Sequence, residues 1–139
     1  MKHNGKAARP QATPETEFYW NKINKHELWL PRCTTTGKFF FYPKTHSPYV
    51  LGGAIEWARV SGEATLYSYN IVHRPVPGFE DRTPYAIAIV QLKEGPRMMT
   101  NIIGIENTPE ALQLDMALQV DFEKRDDVTV PVFRPVMAA

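Results

Sequence analysis

Residues 57–71 constrain the fold of this chain more than any other stretch, because two β-rich segments meet there at Gly62. From Thr65 onward β-branched and aromatic residues dominate, and their alternation places Tyr67 and Tyr69 on one face. This pattern is typical of a strand with an apolar, aromatic face. A glycine inside such a pattern indicates a bend, because a residue without Cβ tolerates the backbone of bulges and barrel corners. The stretch therefore predicts the first long, coiled strand of a small β-barrel.

Four further apolar segments supply the other barrel strands. They are separated by turn residues such as Glu94-Gly95 and, near Thr108, by one predicted helical turn. The loop at 73–84 is long enough to be functional. Five strands that close on themselves predict an OB-type barrel over residues 51–139. The four segments are Tyr85–Leu92, Arg97–Ile103, Leu118–Lys124 and Val128–Phe133.

The N-terminal part predicts a disordered arm and one helix. Residues 1–12 are polar and without periodicity, which is typical of a disordered arm. Thr13 followed by a proline and two glutamates favours a helix start, so we expect a helix within 13–26. Its aromatic residues Phe18, Tyr19 and Trp20 cover more than one face, which predicts contact with the barrel or with a partner protein.

Residues 27–50 resemble a zinc ribbon in layout only. Two hairpin strands, Glu27–Cys33 and Lys38–Tyr42, are expected, followed by a second turn. Cys33 and Thr36 in one turn, with His46 and Tyr49 in the next, have the spacing of metal knuckles. A structural zinc needs four thiolate or imidazole ligands, and two of these four positions carry weak hydroxyl donors instead. The sequence therefore predicts no bound metal and a ribbon whose aromatic residues stabilise it by packing.

Composition excludes several functional classes. The 139 residues suffice for one compact domain with a core. The net charge of +1 gives little electrostatic attraction for nucleic acid. The longest apolar runs are far shorter than the roughly 20 residues of a membrane-spanning helix, and no secretory signal is visible. The single cysteine excludes an internal disulfide and favours the cytoplasm.

Several short motifs together resemble the acyl-CoA-associated OB-fold family, in which an N-terminal helix and a rubredoxin-like zinc ribbon precede an OB barrel. Their order and spacing between residues 14 and 135 carry the resemblance, although no single motif is specific. The departure lies in the ribbon, where the family usually has four cysteines. The motifs are Phe18-Tyr-Trp20, Cys33-x-x-Thr36-Gly37, Tyr42-Pro-Lys44, His46-x-Pro-Tyr49, Ser61-Gly62-x-x-Thr65, His73-Arg-Pro75, Pro84-Tyr85 and Phe133-Arg-Pro135.

The resemblance implies a non-catalytic companion of a thiolase-like or other acyl-CoA enzyme. Partner contacts are then expected from the helix and the ribbon, through Phe18, Tyr19, Trp20, Phe40 and Tyr42. Four cationic or titratable side chains are expected to meet the phosphates of acyl-CoA. These are Lys38, Lys44, His73 and Arg74.

Two other functional classes remain open from the sequence. OB barrels also bind single-stranded nucleic acid on aromatic residues, although this chain offers little basic groove. A stand-alone acyl-CoA hydrolase or dehydratase would need a positioned nucleophile or base. Cys33 and His73 are the candidates for that role, and the sequence shows no partner group for either. No catalytic residue is predicted.

Overall fold

In a computed structural model of the chain, residues 10–74, 77 and 83–136 are described. Most of the predicted arm, most of the predicted long loop and the last three residues lie outside this set. The described chain is mainly β, as predicted. Its elements are α1 (Glu17–Asn24), β1 (Trp29–Cys33), β2 (Ile55–Arg59), β3 (Glu63–Val72), β4 (Tyr85–Leu92), β5 (Arg97–Thr100), β6 (Ala117–Arg125) and β7 (Val128–Pro135).

Five antiparallel strands in the order β5-β4-β3-β6-β7 form a curled sheet. Its two outer strands approach each other in parallel at a bridge between Ile102 and Phe133. The N–H of Ile103 donates to the carbonyl of Phe133 at 2.8 Å, and the N–H of Phe133 donates to the carbonyl of Asn101 at 3.1 Å. This closure converts the sheet into a partly closed, OB-type barrel and reduces the exposed sheet edge.

Strand β3 is the central strand of this barrel, because it pairs with both β4 and β6. Its register with β4 shifts between Leu66 and Ser68, and Tyr67 lies in this bulge. A bulge inserts an extra residue in one strand and increases the local twist, which helps a sheet to curl. The predicted long barrel strand is therefore confirmed from Glu63 onward.

The predicted stretch 57–71 divides between two sheets at Gly62. Its first part belongs to β2, which pairs with β1, and its second part is β3. Gly62 has φ +80°, a left-handed conformation that favours glycine. Its carbonyl accepts a hydrogen bond from the N–H of Val120 at 2.9 Å. The glycine thus turns the chain from the ribbon into the barrel and lies against β6.

We call residues 27–59 the ribbon, because β2, predicted to belong to the barrel domain 51–139, pairs with β1. The strand pairing of the ribbon differs from the predicted hairpin. Strand β1 pairs with β2 over its whole length, not with residues 38–42. The latter contribute a bridge between Arg32 and Phe39 and a hydrogen bond from the N–H of Phe40 to the carbonyl of Pro31 at 3.1 Å. Proline in β1 has no N–H to donate, so this side of the strand cannot support a regular ladder.

Helix α1 begins later than predicted. Thr13 and Thr16 hydrogen-bond to each other, with the N–H of Thr13 donating to Thr16 Oγ1 at 2.9 Å, and the helix follows at Glu17. It ends at Asn24, and two residues later His26 has a φ of +61°, the left-handed conformation common after helix ends. The His26 ring stacks on Phe122 with centroids 5.0 Å apart, which joins the helix end to β6.

One buried cluster connects the helix, the ribbon and the barrel. It contains Tyr19 and Ile23 of α1, Leu30 of β1, and Leu66 and Phe133 of the barrel. Burying a side chain of this size stabilises the fold by about 1.5–3 kcal/mol, so this shared core fixes the helix and ribbon on the barrel. Among the described residues, no helix is long and apolar enough to cross a membrane.

Candidate partner interface

Aromatic side chains of α1 and the ribbon form a cluster at the surface. The Phe18 ring lies 4.7 Å from the Trp57 ring and 5.9 Å from the Trp29 ring, measured between centroids. Lys22 lies one helical turn after Phe18, with its Nζ 4.6 Å from the Trp29 ring. We call these four residues the helix–ribbon cluster. It presents aromatic surface and one cation, the composition that protein interfaces favour.

The β1–β2 register explains how the cluster forms. Trp29 lies opposite Arg59, and Pro31 lies opposite Trp57, so the two tryptophans are diagonal neighbours on one face of the ribbon. The Trp29 indole N–H donates to Glu27 Oε1 at 2.8 Å, which fixes its orientation. The sequence prediction omitted both tryptophans, although their alternation with Pro31 would have placed Trp29 on a defined strand face.

A pocket lies between the helix, the ribbon and the open side of the barrel. Its volume is about 420 Å³, and its walls include Trp20, Phe41, Tyr42 and Met99. Tyr42 and Met99 are exposed at its rim. The Trp20 indole N–H is buried and has no hydrogen-bond acceptor among the described residues. The pocket is therefore mostly apolar and contains one unpaired donor in its wall.

The five aromatic residues predicted to meet a partner occupy different environments. Tyr19 is 1% exposed and Phe40 is also buried, so both belong to the core of this chain. Phe18 is 38% exposed, Tyr42 is exposed, and Trp20 is partly buried in the pocket wall. Burial raises the pKa of the Tyr19 hydroxyl well above its usual range. Only the faces of Phe18, Trp20 and Tyr42 remain available for a partner within this set.

The period of the α-helix explains why Tyr19 is buried while Phe18 is exposed. Tyr19 and Ile23 are one turn apart and form the buried face of α1. Phe18 lies on the adjacent face and packs on the ribbon instead. The sequence shows three consecutive aromatic residues, but only the position of the barrel decides which of them is covered.

The four residues at the predicted metal positions make different hydrogen bonds. The N–H of Thr36 points to Cys33 Sγ at 3.5 Å. In the second turn Ser47 Oγ accepts hydrogen bonds from the N–H groups of Tyr49 at 3.0 Å and Val50 at 3.3 Å. His46 is exposed and bonds to Thr45 Oγ1 at 2.9 Å. The structure thus brings Ser47 and Thr36 to Cys33, whereas His46 bonds to the neighbouring Thr45 and the Tyr49 hydroxyl donates to the carbonyl of Phe39.

One thiol and two hydroxyl groups do not fit a structural zinc ion, which needs four thiolate or imidazole ligands. No group of three His, Cys, Asp or Glu side chains that could hold a metal occurs in the described part of the chain. Instead, the Ser47 and Thr36 hydroxyls bond to the thiol and lower the pKa of Cys33 to about 7, while burial of the thiol opposes this shift. A serine before proline at a turn was the sequence signal for Ser47.

The residues predicted to hold acyl-CoA come from two separate parts of the fold. Lys38 and Lys44 are exposed in the segment between β1 and β2, and Lys38 Nζ lies 5.4 Å from the Tyr49 ring. His73 and Arg74 are exposed directly after β3. All four are accessible to a ligand, but they belong to different elements.

Comparisons with known proteins define the family. A family model described as the C-terminal OB-fold domain of ChsH2 matches residues 57–123. A DUF35 domain-containing scaffold protein of Pyrococcus furiosus is 30% identical over 103 residues, covering 73% of this chain and 74% of that protein. A probable enoyl-CoA hydratase alpha subunit of Thermomonospora curvata is 32% identical over 133 residues, which is 93% of this chain. This chain spans only 40% of the length of that subunit.

Solved structures agree with this assignment. The Ltp2-ChsH2(DUF35) aldolase contains a chain that superposes with a TM-score of 0.81 at 29% identity, covering 93% of this chain and 100% of that chain. A DUF35 family protein of unknown function from Sulfolobus solfataricus has the same fold, with a TM-score of 0.63 at 15% identity over 90% of this chain and 87% of that chain. The chain therefore belongs to the DUF35 family, the acyl-CoA-associated OB-fold proteins that its sequence resembles.

Proposed function

We propose that this chain is a non-catalytic companion that binds an acyl-CoA enzyme and supports its activity or stability. The observation that carries the proposal is the match to the DUF35 chain of the Ltp2-ChsH2(DUF35) aldolase over the whole length of that chain. Two relatives named hydratase alpha subunits and three named scaffold proteins support the same class of role. A thiolase-like enzyme or a hydratase is the partner class we favour.

The helix–ribbon cluster gives structural support to the proposal. Phe18 and its tryptophan neighbours expose aromatic surface outside the shared core, and aromatic anchors contribute most of the binding energy at interfaces. Lys22 above the rings adds a cation that pairs with an acidic group of the partner. We propose this cluster, with Tyr42 at the pocket rim, as the surface that the helix and ribbon offer to the enzyme.

The proposal includes contact with the acyl-CoA itself. Lys38 and Lys44 are exposed cations on the ribbon, and His73 and Arg74 follow β3. Such side chains bind phosphate and pyrophosphate groups at an enzyme boundary without requiring a basic protein. We propose that they meet the CoA phosphates when the companion is bound to its enzyme.

Co-expression with acyl-CoA enzymes of the same organism tests the companion role. We expect one such enzyme to co-purify with this chain and the turnover of that enzyme to rise in the presence of this chain. Phe18→Ala should weaken the association, whereas Leu51→Ala, a change at a fully exposed residue of the ribbon loop, should leave it intact. Both variants should fold, because neither position is buried.

Four results would contradict the proposal. The companion role is wrong if the proteins do not associate, or if enzyme turnover is the same with and without this chain. Hydrolysis or hydration of a CoA ester by the isolated chain would show that it is itself an enzyme. Binding of a labelled single-stranded oligonucleotide at physiological salt, with no binding of acyl-CoA or enzyme, would instead favour the nucleic-acid role.

A further inference from the structure

The outer face of β3, β4 and β5 exposes more apolar surface than the fold requires. Ile89 of β4 lies opposite Met99 of β5 on one side and Ser68 of β3 on the other. Tyr67 is 48% exposed and Met99 is 65% exposed, and Ile87 is also exposed. We call Tyr67, Ile87, Ile89, Arg97 and Met99 the outer face.

The alternate residues of the same strands already fill the barrel core. Leu66, Ala88, Val90 and Met98 are all buried on the inner side. In a sheet with one solvent-exposed face, the residues on that face are usually polar, because apolar side chains there are not removed from water when the protein folds. Adjacent aromatic, β-branched and methionine side chains on the wet side therefore indicate a binding surface.

Arg97 lies within the outer face, and no described residue gives it an acidic partner. Its guanidinium carbon lies 3.8 Å from the centroid of the Tyr67 ring, and its Nε donates to Gln91 Oε1 at 2.8 Å. Among the described residues, no carboxylate lies within ion-pair distance of Arg97. Four other arginines each pair with a carboxylate: Arg32 with Glu56, Arg59 with Glu27, Arg125 with Glu123 and Arg134 with Asp121.

We infer that the outer face docks a protein partner, the acyl-CoA enzyme of the proposed function. The surface of this partner presents an apolar patch with a carboxylate that pairs with Arg97. This inference rests on the proposed companion function and assigns it a second contact surface, which meets the surface of the helix and ribbon at the pocket lined by Tyr42 and Met99. Tyrosine, arginine and methionine are the residue types enriched at interfaces. Stacking on Tyr67 holds the guanidinium flat, so its remaining N–H groups are oriented for a bidentate carboxylate contact.

Charge distinguishes this occupant from a second copy of the chain. The outward positions of β4 and β5 carry Tyr85, Ile87, Ile89, Gln91, Arg97 and Met99, and none of them is acidic. The outward carboxylate of β3, Glu63, already pairs with Lys93. Two copies that docked through this face would bring their arginines into the same apolar interface without a counter-charge. Leaving such charges buried and unpaired is costly, so an acidic partner fits better.

The same residues fit single-stranded nucleic acid less well. Base stacking needs an open aromatic face within a basic groove. Arg97 already covers one side of the Tyr67 ring, and it is the one cation of the outer face. A single cation releases few counterions, so it gives little affinity for a polyanion at physiological salt.

The test uses the purified chain and the acyl-CoA enzyme that co-purifies with it from its native cells. The dissociation constant is measured for the unchanged chain and for Arg97→Glu and Met99→Asp. We expect each substitution to weaken binding about tenfold or more, because a reversed or inserted charge lies in the apolar interface. Lys124→Glu and Leu51→Asp make the same chemical changes at exposed positions outside the face, and they should stay within about twofold of the unchanged chain.

A compensating change tests the carboxylate directly. Substitution of Lys for each acidic residue on the enzyme surface should reveal one position that restores binding to Arg97→Glu. Equal affinities for all four variants would overturn the outer-face inference while the companion function stands. If no acyl-CoA enzyme binds the unchanged chain, both proposals fail. The unchanged chain could instead associate with itself or bind an oligonucleotide, with Arg97→Glu abolishing that binding. The occupant of the outer face would then be a second copy of the chain or a nucleic acid, and not an acidic protein.

Discussion

Gly62 is the residue whose backbone conformation and surroundings permit the least variation. Its φ of +80° costs an L-residue strain, and a Cβ at this position would lie 2.8 Å from Gln119 Nε2 and in closer conflict with Val120 Cγ1. Gly37 has a similar φ of +74°, but a Cβ there would meet nothing within 4 Å. Comparing the same substitution at Gly62 and Gly37 therefore separates the cost of backbone strain from the cost of steric conflict.

We expect Gly62→Ala to reduce the free energy of unfolding by about 1–3 kcal/mol more than Gly37→Ala does. Both substitutions carry the strain of a left-handed residue, roughly 1–2 kcal/mol, but only the first also displaces β6 side chains. Urea unfolding of the two variants measures the difference. Equal losses would mean that the junction between ribbon and barrel adjusts without cost.

Cys33 is the second residue whose surroundings predict a measurable property. The hydroxyl hydrogen bonds lower the pKa of its thiol to about 7, below the usual thiol range. We expect thiolate absorbance at 240 nm to rise with a midpoint near pH 7 in the folded protein. Ser47→Ala should move this midpoint upward, because the strongest hydrogen bond to the thiolate is lost. Cys33→Ser provides the blank.

The lowered pKa of the Cys33 thiol also predicts how the free energy of unfolding changes with pH. A thiol whose pKa is lowered by folding binds fewer protons in the folded state than in the unfolded state between the two pKa values. The free energy of unfolding should therefore rise as pH increases from about 7 to about 9, and this contribution should disappear in Cys33→Ser. A contribution that falls with pH in this range would mean that burial of the thiol dominates over its hydrogen bonds.

At the scale of elements, α1 has one face for the core and one for the surface. Tyr19→Ala should destabilise the protein by about 3–5 kcal/mol, because it removes a large buried side chain from the shared core. Phe18→Ala should cost less, since that ring keeps 38% of its surface exposed, and its main effect should be on partner binding. Thermal unfolding and a binding assay on both variants check this division. Equal losses of stability would show that the helix–ribbon cluster is also a structural core.

Hydrogen bonds from backbone N–H groups to side chains hold two turns of the ribbon. The Cys33 and Ser47 side chains accept backbone N–H groups of their own turns, as metal-bound sulfurs do in knuckles. Pairing of β1 with β2 and the aromatic packing of Phe40 against Tyr49 supply the remaining order. These contacts act locally, so the ribbon depends on the adjoining core for most of its stability.

At the scale of the whole molecule, the shared core predicts a single cooperative unfolding transition. Core residues from the helix, the ribbon and the barrel contact one another, so no part can open without exposing apolar surface. Trp20, Trp29 and Trp57 all lie in the helix and ribbon, so tryptophan fluorescence reports on these elements. Far-ultraviolet circular dichroism reports mainly on the barrel strands.

We expect the two signals to give the same midpoint in urea. The control is Leu30→Ala, which removes a buried side chain between ribbon and barrel and should shift both midpoints together. If fluorescence changes at a lower urea concentration than circular dichroism, the helix and ribbon unfold independently and the barrel is stable alone.

The sequence by itself determined the class of the fold and the family. Period-two alternation predicted the barrel strands, Gly62 marked the turn between two β segments, and Glu94-Gly95 marked the turn between β4 and β5. The turn at Thr108 was also predicted, and there the N–H of Leu112 donates to the Thr108 carbonyl at 2.9 Å. These features depend on residues near one another in the chain, where local backbone preference and side-chain period are sufficient.

Only the tertiary structure decided which surfaces are covered and which distant segments pair. It paired β1 with β2 across the whole ribbon segment, buried Tyr19 and Phe40, and left Tyr67 and Arg97 on the outer face. It also brought Ser47, not His46, to Cys33. Apolar character in a sequence shows that a side chain gains from burial, but whether water is excluded depends on neighbours far along the chain, and the period of one element does not specify them.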